Sequence, residues 1–372
     1  MKLARTRLAR FGLAAVALSA LTLAGCAATP STPSGGSTGN SGSTAGKTLS
    51  AVEAKLYAAA KTEGSLTLYS SANQTAADAM TKAFEAKFPG ITVTYSLGNV
   101  SQNLTKLTQE TSAGVHNADI LALSAPGETS DFVAAGFIEP YKVFDYNKYP
   151  VTSRGDKDVS ELYDKFTPYG AIVYNTNLMK AADVPGSYKA FANLDPKKYA
   201  GKIIMNDITL FPYTNNLAVW QQVDGDNSLS NLKNLKIVTN TQATAITNGI
   251  SSGQYYMSDT FNMQSYVALK AAGAPIDFKV PSEGIWLQPG SHLLLKGAPH
   301  PNAAKLFMEY IYSAEGQKVW TAPGYVSPRT DVPLPAGLEW VAKAKKIDVD
   351  FAKTYAERDA LTQRAKIVLG LH

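Results

Sequence analysis

The chain has 372 residues, of which 45% are hydrophobic, 35 are Lys or Arg and 30 are Asp or Glu, so its formal net charge is +5. Four of the basic residues stand unopposed ahead of position 11, and without them the remainder carries a formal charge of only +1. No long charge run and no basic patch interleaved with aromatics follows, which speaks against nucleic-acid binding, and a single cysteine rules out disulfides and cysteine-rich metal sites.

Lys2, Arg5, Arg7 and Arg10 precede an apolar stretch from Phe11 to Leu23, the charge and length pattern of an export signal over residues 1–25. The stretch is too short to span a membrane comfortably. Leu23-Ala24-Gly25-Cys26 resembles the bacterial lipobox, where cleavage before the cysteine leaves its thiol to carry a diacylglycerol. Residues 26–47 then form the lipidated Cys26 and a tether of Ser, Thr, Gly and Pro, which cannot bury apolar surface. A coil of that length spans about 25 Å root-mean-square, enough to hold a folded body near a membrane while letting it swing.

Roughly 320 residues remain, sufficient for two lobes with separate cores. Ser65 to Tyr69 alternates polar and apolar as a strand does, and Ala76, Met80, Phe84 and Phe88 recur at helical spacing before Pro89-Gly90 stops the helix. Ile91 to Tyr95 predicts a second strand, Ser101 to Thr111 a second helix, and Ala118 to Leu123 a third strand. A similar alternation restarts near Gly170. Strands are predicted at 171–174, 202–205, 236–238, 255–257 and 276–280, with helices over 215–222 and 241–251. Strands alternating with helices imply largely parallel sheets and a doubled α/β architecture.

In such sheets ligands sit beyond the carboxyl ends of the strands, where loops meet helix N-termini. Four loops fall there: Ser70-Ser71-Ala72-Asn73-Gln74, Ser124-Ala125-Pro126, Pro212-Tyr213-Thr214-Asn215-Asn216 and Ser258-Asp259-Thr260-Phe261-Asn262. All are rich in hydroxyl, amide and phenol groups, which encircle a polar solute without performing chemistry on it. Taken singly, Thr75 with Asp78, Thr214 or Asn215 reads equally well as a helix cap. Nucleophile elbow, phosphate loop, dinucleotide fingerprint and zinc-protease motifs are all missing, and His116, His292, His300 and His372 show no ligand spacing. Asp207 and Glu283 are isolated carboxylates that an acid–base pair across a cleft would have to bring together. Trp286 is a candidate cleft residue, whereas Trp220 is expected inside the second lobe.

The chain resembles the extracellular solute-binding proteins of ABC importers, in the branch holding ferric-ion binders and binders of phosphorylated or phosphonate solutes. The resemblance runs from about Gly64 to Val332 and is carried by Gly64-Ser65-Leu66-Thr67-Leu68-Tyr69-Ser70, Tyr169-Gly170 with Tyr174-Asn175-Thr176, Lys296-Gly297-Ala298-Pro299-His300-Pro301, Ser313-Ala314-Glu315-Gly316-Gln317 and Gly324-Tyr325-Val326-Ser327-Pro328-Arg329. It implies a type II periplasmic-binding-protein clamp: lobe 1 over 48–168, lobe 2 over 169–280, and a return hinge strand, the rest of lobe 1 and C-terminal helices over 281–372. Crossings are expected near Tyr169 to Asn175 and Val280 to Leu295.

The implied role is capture of a small polar, anionic or metal-containing solute and its delivery to a permease with its ATPase. The protein is then a monomer held on the outer face of the membrane through Cys26, not an enzyme, and needs no cofactor. Candidate solutes are ferric iron or its chelate, a phosphonate such as 2-aminoethylphosphonate, and a sugar phosphate. A solute sensor and a cell-surface hydrolase are the alternatives. The expected ligand set is Ser70, Ser71, Asn73, Ser124, Tyr169, Tyr213, Thr214, Asn215, Asp259 and Thr260. Ferric binders of the family place two adjacent tyrosines in the loop that here aligns with Asp259-Thr260, while Tyr255-Tyr256 falls earlier, inside a predicted strand. Those two tyrosines are the metal candidates should the solute be ferric.

Overall fold

The computed structural model describes residues 49–154, 162–207 and 213–370. The expected export signal, Cys26 with its tether, and Pro212 lie outside the described residues.

Ser50 and Glu53 cap each other's backbone amides and start α1 (Ala51–Glu63). Then come β1 (Ser65–Ser70), α2 (Gln74–Lys87), β2 (Thr92–Leu97), α3 (Val100–Ser112), β3 (Ile120–Leu123) and α4 (Pro126–Ala134). Two strands follow almost without a break, β4 (Tyr163–Tyr169) and β5 (Ile172–Asn175). Beyond them lie α5 (Tyr188–Ala192), α6 (Pro196–Tyr199), β6 (Ile204–Asn206), α7 (Thr214–Leu232), β7 (Val238–Asn240), α8 (Ala243–Ser251), β8 (Met257–Ser258), α9 (Met263–Ala271) and β9 (Ile276–Lys279). The chain returns through β10 (Trp286–Leu294) to α10 (Pro301–Tyr312) and α11 (Ala314–Thr321), and ends in α12 (Phe351–Ala356) and α13 (Arg358–Leu369).

Lobe 1 is built on a five-stranded sheet of order β2-β1-β3-β10-β4. Its first three strands are parallel, while β10 runs antiparallel to both β3 and β4. Leu66 and Leu68 project to one side, into a core with Phe84, Phe88, Phe307 and Trp320, and Tyr69 projects to the other, with Leu107, Leu121 and Leu293. Both faces of the sheet are covered, which is why the central strand β3, Ile120-Leu121-Ala122-Leu123, is a continuous apolar run.

In lobe 2, β5 lies antiparallel between β8 and β9, β6 pairs with β7 in parallel, and a parallel bridge from Ile203 to Met257 joins the two sets. The pairing is therefore more antiparallel than strand–helix alternation alone suggests. Strands that re-enter a sheet after crossing between lobes do so from the opposite end. Ile172 and Tyr174 face a core with Phe191 and Trp220, whereas Ala171 and Val173 face Phe261, Tyr266 and Ile250.

After α11 the chain crosses once more. Phe166 and Val326 exchange backbone hydrogen bonds of 2.7 and 2.8 Å, and Leu338 and Val341 then join the lobe 2 core. Helix α13 lies along α7, and α12 reaches across to α4, where the Tyr355 hydroxyl donates to Asp131.

Between β4 and β5, Gly170 has φ +91°, and a Cβ there would stand 2.2 Å from the Tyr188 hydroxyl oxygen. Gly170→Ala is therefore expected to lower stability by roughly 1–3 kcal/mol, read as a lower urea midpoint with an unchanged slope.

Candidate functional site

A cleft of about 320 Å³ opens where the two lobes face each other across β4 and β10. Lobe 1 lines it with Ser71, Ala72 and Asn73 after β1, Asn99, Val100 and Ser101 after β2, and Ser124 after β3. Lobe 2 contributes Tyr213, Thr241, Ala243, Asn262, Gln264 and Ser265, and the hinge contributes Thr167, Tyr169 and Gln288, with Tyr325 beside them. These positions follow the carboxyl ends of parallel strands, where backbone amides at helix starts remain unused.

Three of the helices at the cleft are capped by asparagine. The Oδ1 atoms of Asn73, Asn99 and Asn262 accept from the backbone amides of Ala76, Gln102 and Ser265 at 2.8–2.9 Å. Capping and lining thus coincide: with the carbonyl spent on the helix, the amide NH2 is what each asparagine has left to offer a solute. The first turns of α7 and α8, beginning beside Tyr213 and at Ala243, have no side-chain cap, and within them Asn216 N and Ala245 N bond back to the Tyr213 and Gln242 carbonyls.

No Asp, Glu, His, Lys or Arg lines the cleft among the described residues. Burial raises the phenols of Tyr169 and Tyr213 above the ordinary tyrosine range, so both are neutral donors at physiological pH. One cation stands just behind the lining. Lys165 shares the face of β4 that carries Thr167 and Tyr169, is 3% exposed, and holds its ammonium 4.4 Å from the Tyr325 ring centroid and 4.8 Å from that of Trp320. No carboxylate pairs with it among the described residues.

A bulge sets this up. Gly290 pairs with Lys165 and Ser291 with Tyr163, so Asp164 is skipped and turns into lobe 1, accepting from Trp320 Nε1 at 2.8 Å and pairing with His292 Nδ1 at 2.5 Å. Opposite Lys165, a Cβ on Gly290 would lie 2.6 Å from Lys165 Cε and 2.8 Å from Ser124 Oγ. The absent side chain is what lets the lysine arch toward the cleft.

Of the expected ligand residues, Ser71, Asn73, Ser124, Tyr169 and Tyr213 line the cleft. The other five do not. Ser70 is fully buried, its hydroxyl accepting from Ala72 N. Thr214 and Asn215 lie buried behind Tyr213, and Asn215 Nδ2 donates to Gln288 Oε1 at 2.9 Å while Gln288 Nε2 donates to the Ser124 carbonyl at 2.9 Å. Asn215 thus reaches the cleft through Gln288. Asp259 is wholly buried, accepting from Trp220 Nε1 at 2.8 Å and Asn216 Nδ2 at 3.3 Å, and Thr260 Oγ1 accepts from Asn206 N.

Tyr255 packs against Gly249 in the lobe 2 core, and Tyr256 meets Tyr199 edge to face with Lys202 over its ring, so neither lines the cleft. Trp286, stacked on Tyr169 at 4.9 Å, is 3% exposed and supports the lining from behind. His116 sits at the surface against Gly297, and His300 is tied to Asp119. Glu283 accepts from Tyr188 N at the start of α5. Among the described residues of the cleft, no carboxylate or imidazole stands beside a nucleophile.

Residues 79–348 match the family of bacterial extracellular solute-binding proteins. The chain belongs to that family. It is a binding protein and not an enzyme. It is 25% identical over 323 residues to an uncharacterized protein of Haemophilus influenzae, covering 82% of this chain and 90% of the relative. The fold is similar to that of the substrate-binding protein of an ABC transporter from Agrobacterium tumefaciens (TM-score 0.73, 19% identity, 83% and 96% of the two chains). It is also similar to iron-bound HitA from Pseudomonas aeruginosa (0.68, 19%, 81% and 99%). A third likeness is to AfuA from Actinobacillus pleuropneumoniae with bound fructose-6-phosphate (0.69, 22%, 83% and 99%).

Within this solute-binding protein, burial raises the Asp259 carboxyl to about 6, against the lowering effect of its bonds from Trp220 and Asn216. A carboxyl raised on folding binds its proton more tightly in the native state, so its contribution is fully favourable below the unfolded value near 3.8 and declines as pH rises to about 6. The decline is on the order of 3 kcal/mol, since each pH unit between the two values is worth about 1.4 kcal/mol. Chemical denaturation from pH 4 to 7 should show wild-type stability falling relative to Asp259→Asn. Parallel profiles would contradict this.

Proposed function

We propose that the protein captures a small, acceptor-rich anion, a phosphonate or a sugar phosphate, between its lobes and delivers it to an ABC importer. The observation that carries this reading is the polarity of the donors. Asparagine NH2 groups, serine and tyrosine hydroxyls and two helix starts without a side-chain cap converge on a cleft that no carboxylate lines among the described residues, and the ammonium of Lys165 stands behind them. A lining rich in donors and without an anionic acceptor among the described residues suits an oxyanion, whose terminal oxygens each accept several hydrogen bonds and which supplies the charge that Lys165 lacks. In AfuA the bound solute is a sugar phosphate, which agrees with this class.

A second reading, a ferric chelate, draws on Tyr169, Tyr213 and Tyr325 in the lining and on iron-bound HitA. Bare ferric iron is disfavoured by the lack of any carboxylate or histidine among the described lining residues and by the Tyr169 and Tyr213 phenols, which burial keeps protonated. Closing of the lobes on solute would signal occupancy to the permease, since a ligand that touches both lobes favours the closed form. Lipidation at Cys26 and the tether after it would keep the clamp within reach of that permease. No helix among the described residues is long and apolar enough to cross a membrane.

Thermal unfolding with 2-aminoethylphosphonate, sugar phosphates, ferric citrate and neutral sugars is the test, because a solute at a hundred times its Kd stabilises by about 2.7 kcal/mol. A saturable upward shift with a phosphorylated or phosphonate solute is expected. Lys165→Met should weaken its binding by roughly ten- to a hundredfold, as does losing a charge-assisted contact. Shifts from neutral sugars alone, or from ferric citrate alone with Lys165→Met silent, would refute the anion reading.

A further inference from the structure

Lobe 2 contains a second cavity, of about 260 Å³, away from the cleft. Its walls are apolar: Leu217, Trp220, Leu229 and Leu232 from α7, with Met205 and Ile237 from the adjoining sheet. The cavity follows from a break in the helix. Gly225 has φ 60° and ψ −152°, so α7 stops being helical between Trp220 and Leu229, and its two halves do not close over the space they flank. Protein interiors hold few voids larger than a water molecule, and a space of this size would take about eight waters by liquid volume, yet its walls offer little for water to bond.

Two further features give the cavity a chemistry. At its rim stand Lys233 and Lys236, both exposed and neither ion-paired among the described residues. Asn216, 2% exposed, also lines it, and with its NH2 donating to Asp259 its Oδ1 atom has no hydrogen-bond partner. Apolar walls, a cationic rim and one buried unused acceptor are complementary to a molecule with an apolar body, an acid group and one hydrogen-bond donor.

We propose that this cavity is a second binding site, separate from the solute cleft, for a small amphipathic carboxylate carrying one N–H or O–H donor on an apolar body. The carboxylate sits between Lys233 and Lys236, the body fills the space beside Trp220, and the donor meets Asn216 Oδ1. A volume just under the ~300 Å³ at which small-molecule pockets begin restricts the ligand to about the size of a substituted indole.

Indole-3-acetate is the probe, titrated into the protein by calorimetry. Saturable one-to-one binding is expected, weakened at least roughly tenfold in Lys233→Gln/Lys236→Gln by loss of the charge-assisted contacts. Both side chains are exposed, so the variant keeps its fold. The 1-methyl analogue, without its N–H, should bind more weakly to the wild type and equally to Asn216→Leu. Lys165→Met, which alters the cleft, should leave the affinity unchanged. Absence of saturable binding up to the solubility limit overturns the proposal. So does binding indifferent to the two lysines, or binding lost in Lys165→Met, which places the probe in the cleft.

Discussion

The antiparallel pairing of β4 with β10 is the constraint on which the rest depends. Trp286 pairs with Tyr169, Gln288 with Thr167 and Gly290 with Lys165, so one face of a two-stranded ribbon becomes the floor of the cleft. The same ribbon carries the chain between lobes in both directions. Its far end is held in lobe 1 by β3, which pairs with Ser291 to Leu294, and its near end leads through Gly170 into β5. Gln288 then links the two walls by taking a hydrogen bond from Asn215 and giving one to Ser124. A side chain that bonds both lobes at the hinge is positioned to register any change in the angle between them.

The energetics of the site are lopsided. An ammonium taken from water without a counter-ion is costly, and aromatic faces offset only a kcal/mol or two of that cost. Lys165 is tolerated because Trp320 and Tyr325 cradle it and because the bulge at Asp164 sends the nearest carboxylate elsewhere, to His292 and Trp320. Asp164 is thus committed to lobe 1, while Lys165, its neighbour along the strand, lies behind the cleft lining with aromatic rings in place of a counter-ion.

Much of the architecture was legible because apolar periodicity is set locally. Leu66 and Leu68 in β1, and Met80 and Phe84 in α2, are buried as their spacing requires. Loops after β1 and β3 were legible as cleft walls for the same reason: topology decides where a strand's carboxyl end points. Periodicity showed neither β4 nor β10, because Pro168 and Pro289 argue against a strand interior, and only the family resemblance placed a return hinge strand between Val280 and Leu295. Both prolines are accommodated because β4 is an edge strand, and β10 meets β3 only from Ser291 onward, leaving the Pro289 nitrogen on an unpaired side. Thr167, Gln288 and Lys165 went unread with them. Asp259 was misplaced for a different reason. It lies one residue past β8, but Trp220 and Asn216 approach from α7 and draw it inward, a tertiary contact that no spacing rule contains.

Solved proteins with iron and with fructose-6-phosphate share this fold at 19% and 22% identity, so the fold does not choose the solute. The choice lies in whether the lining gives or receives hydrogen bonds. Each asparagine at a helix start could have turned either end of its amide to the cleft, and the cap decides: Ala76, Gln102 and Ser265 each take the carbonyl, leaving the NH2 outward. Capping chemistry, required to start the helices at all, thereby sets the sign of the cleft. On the anion reading proposed above, a metal cation would meet amide NH2 and hydroxyl groups of the opposite sign among the described lining residues, while an oxyanion would meet donors already oriented and the Lys165 ammonium behind Tyr325.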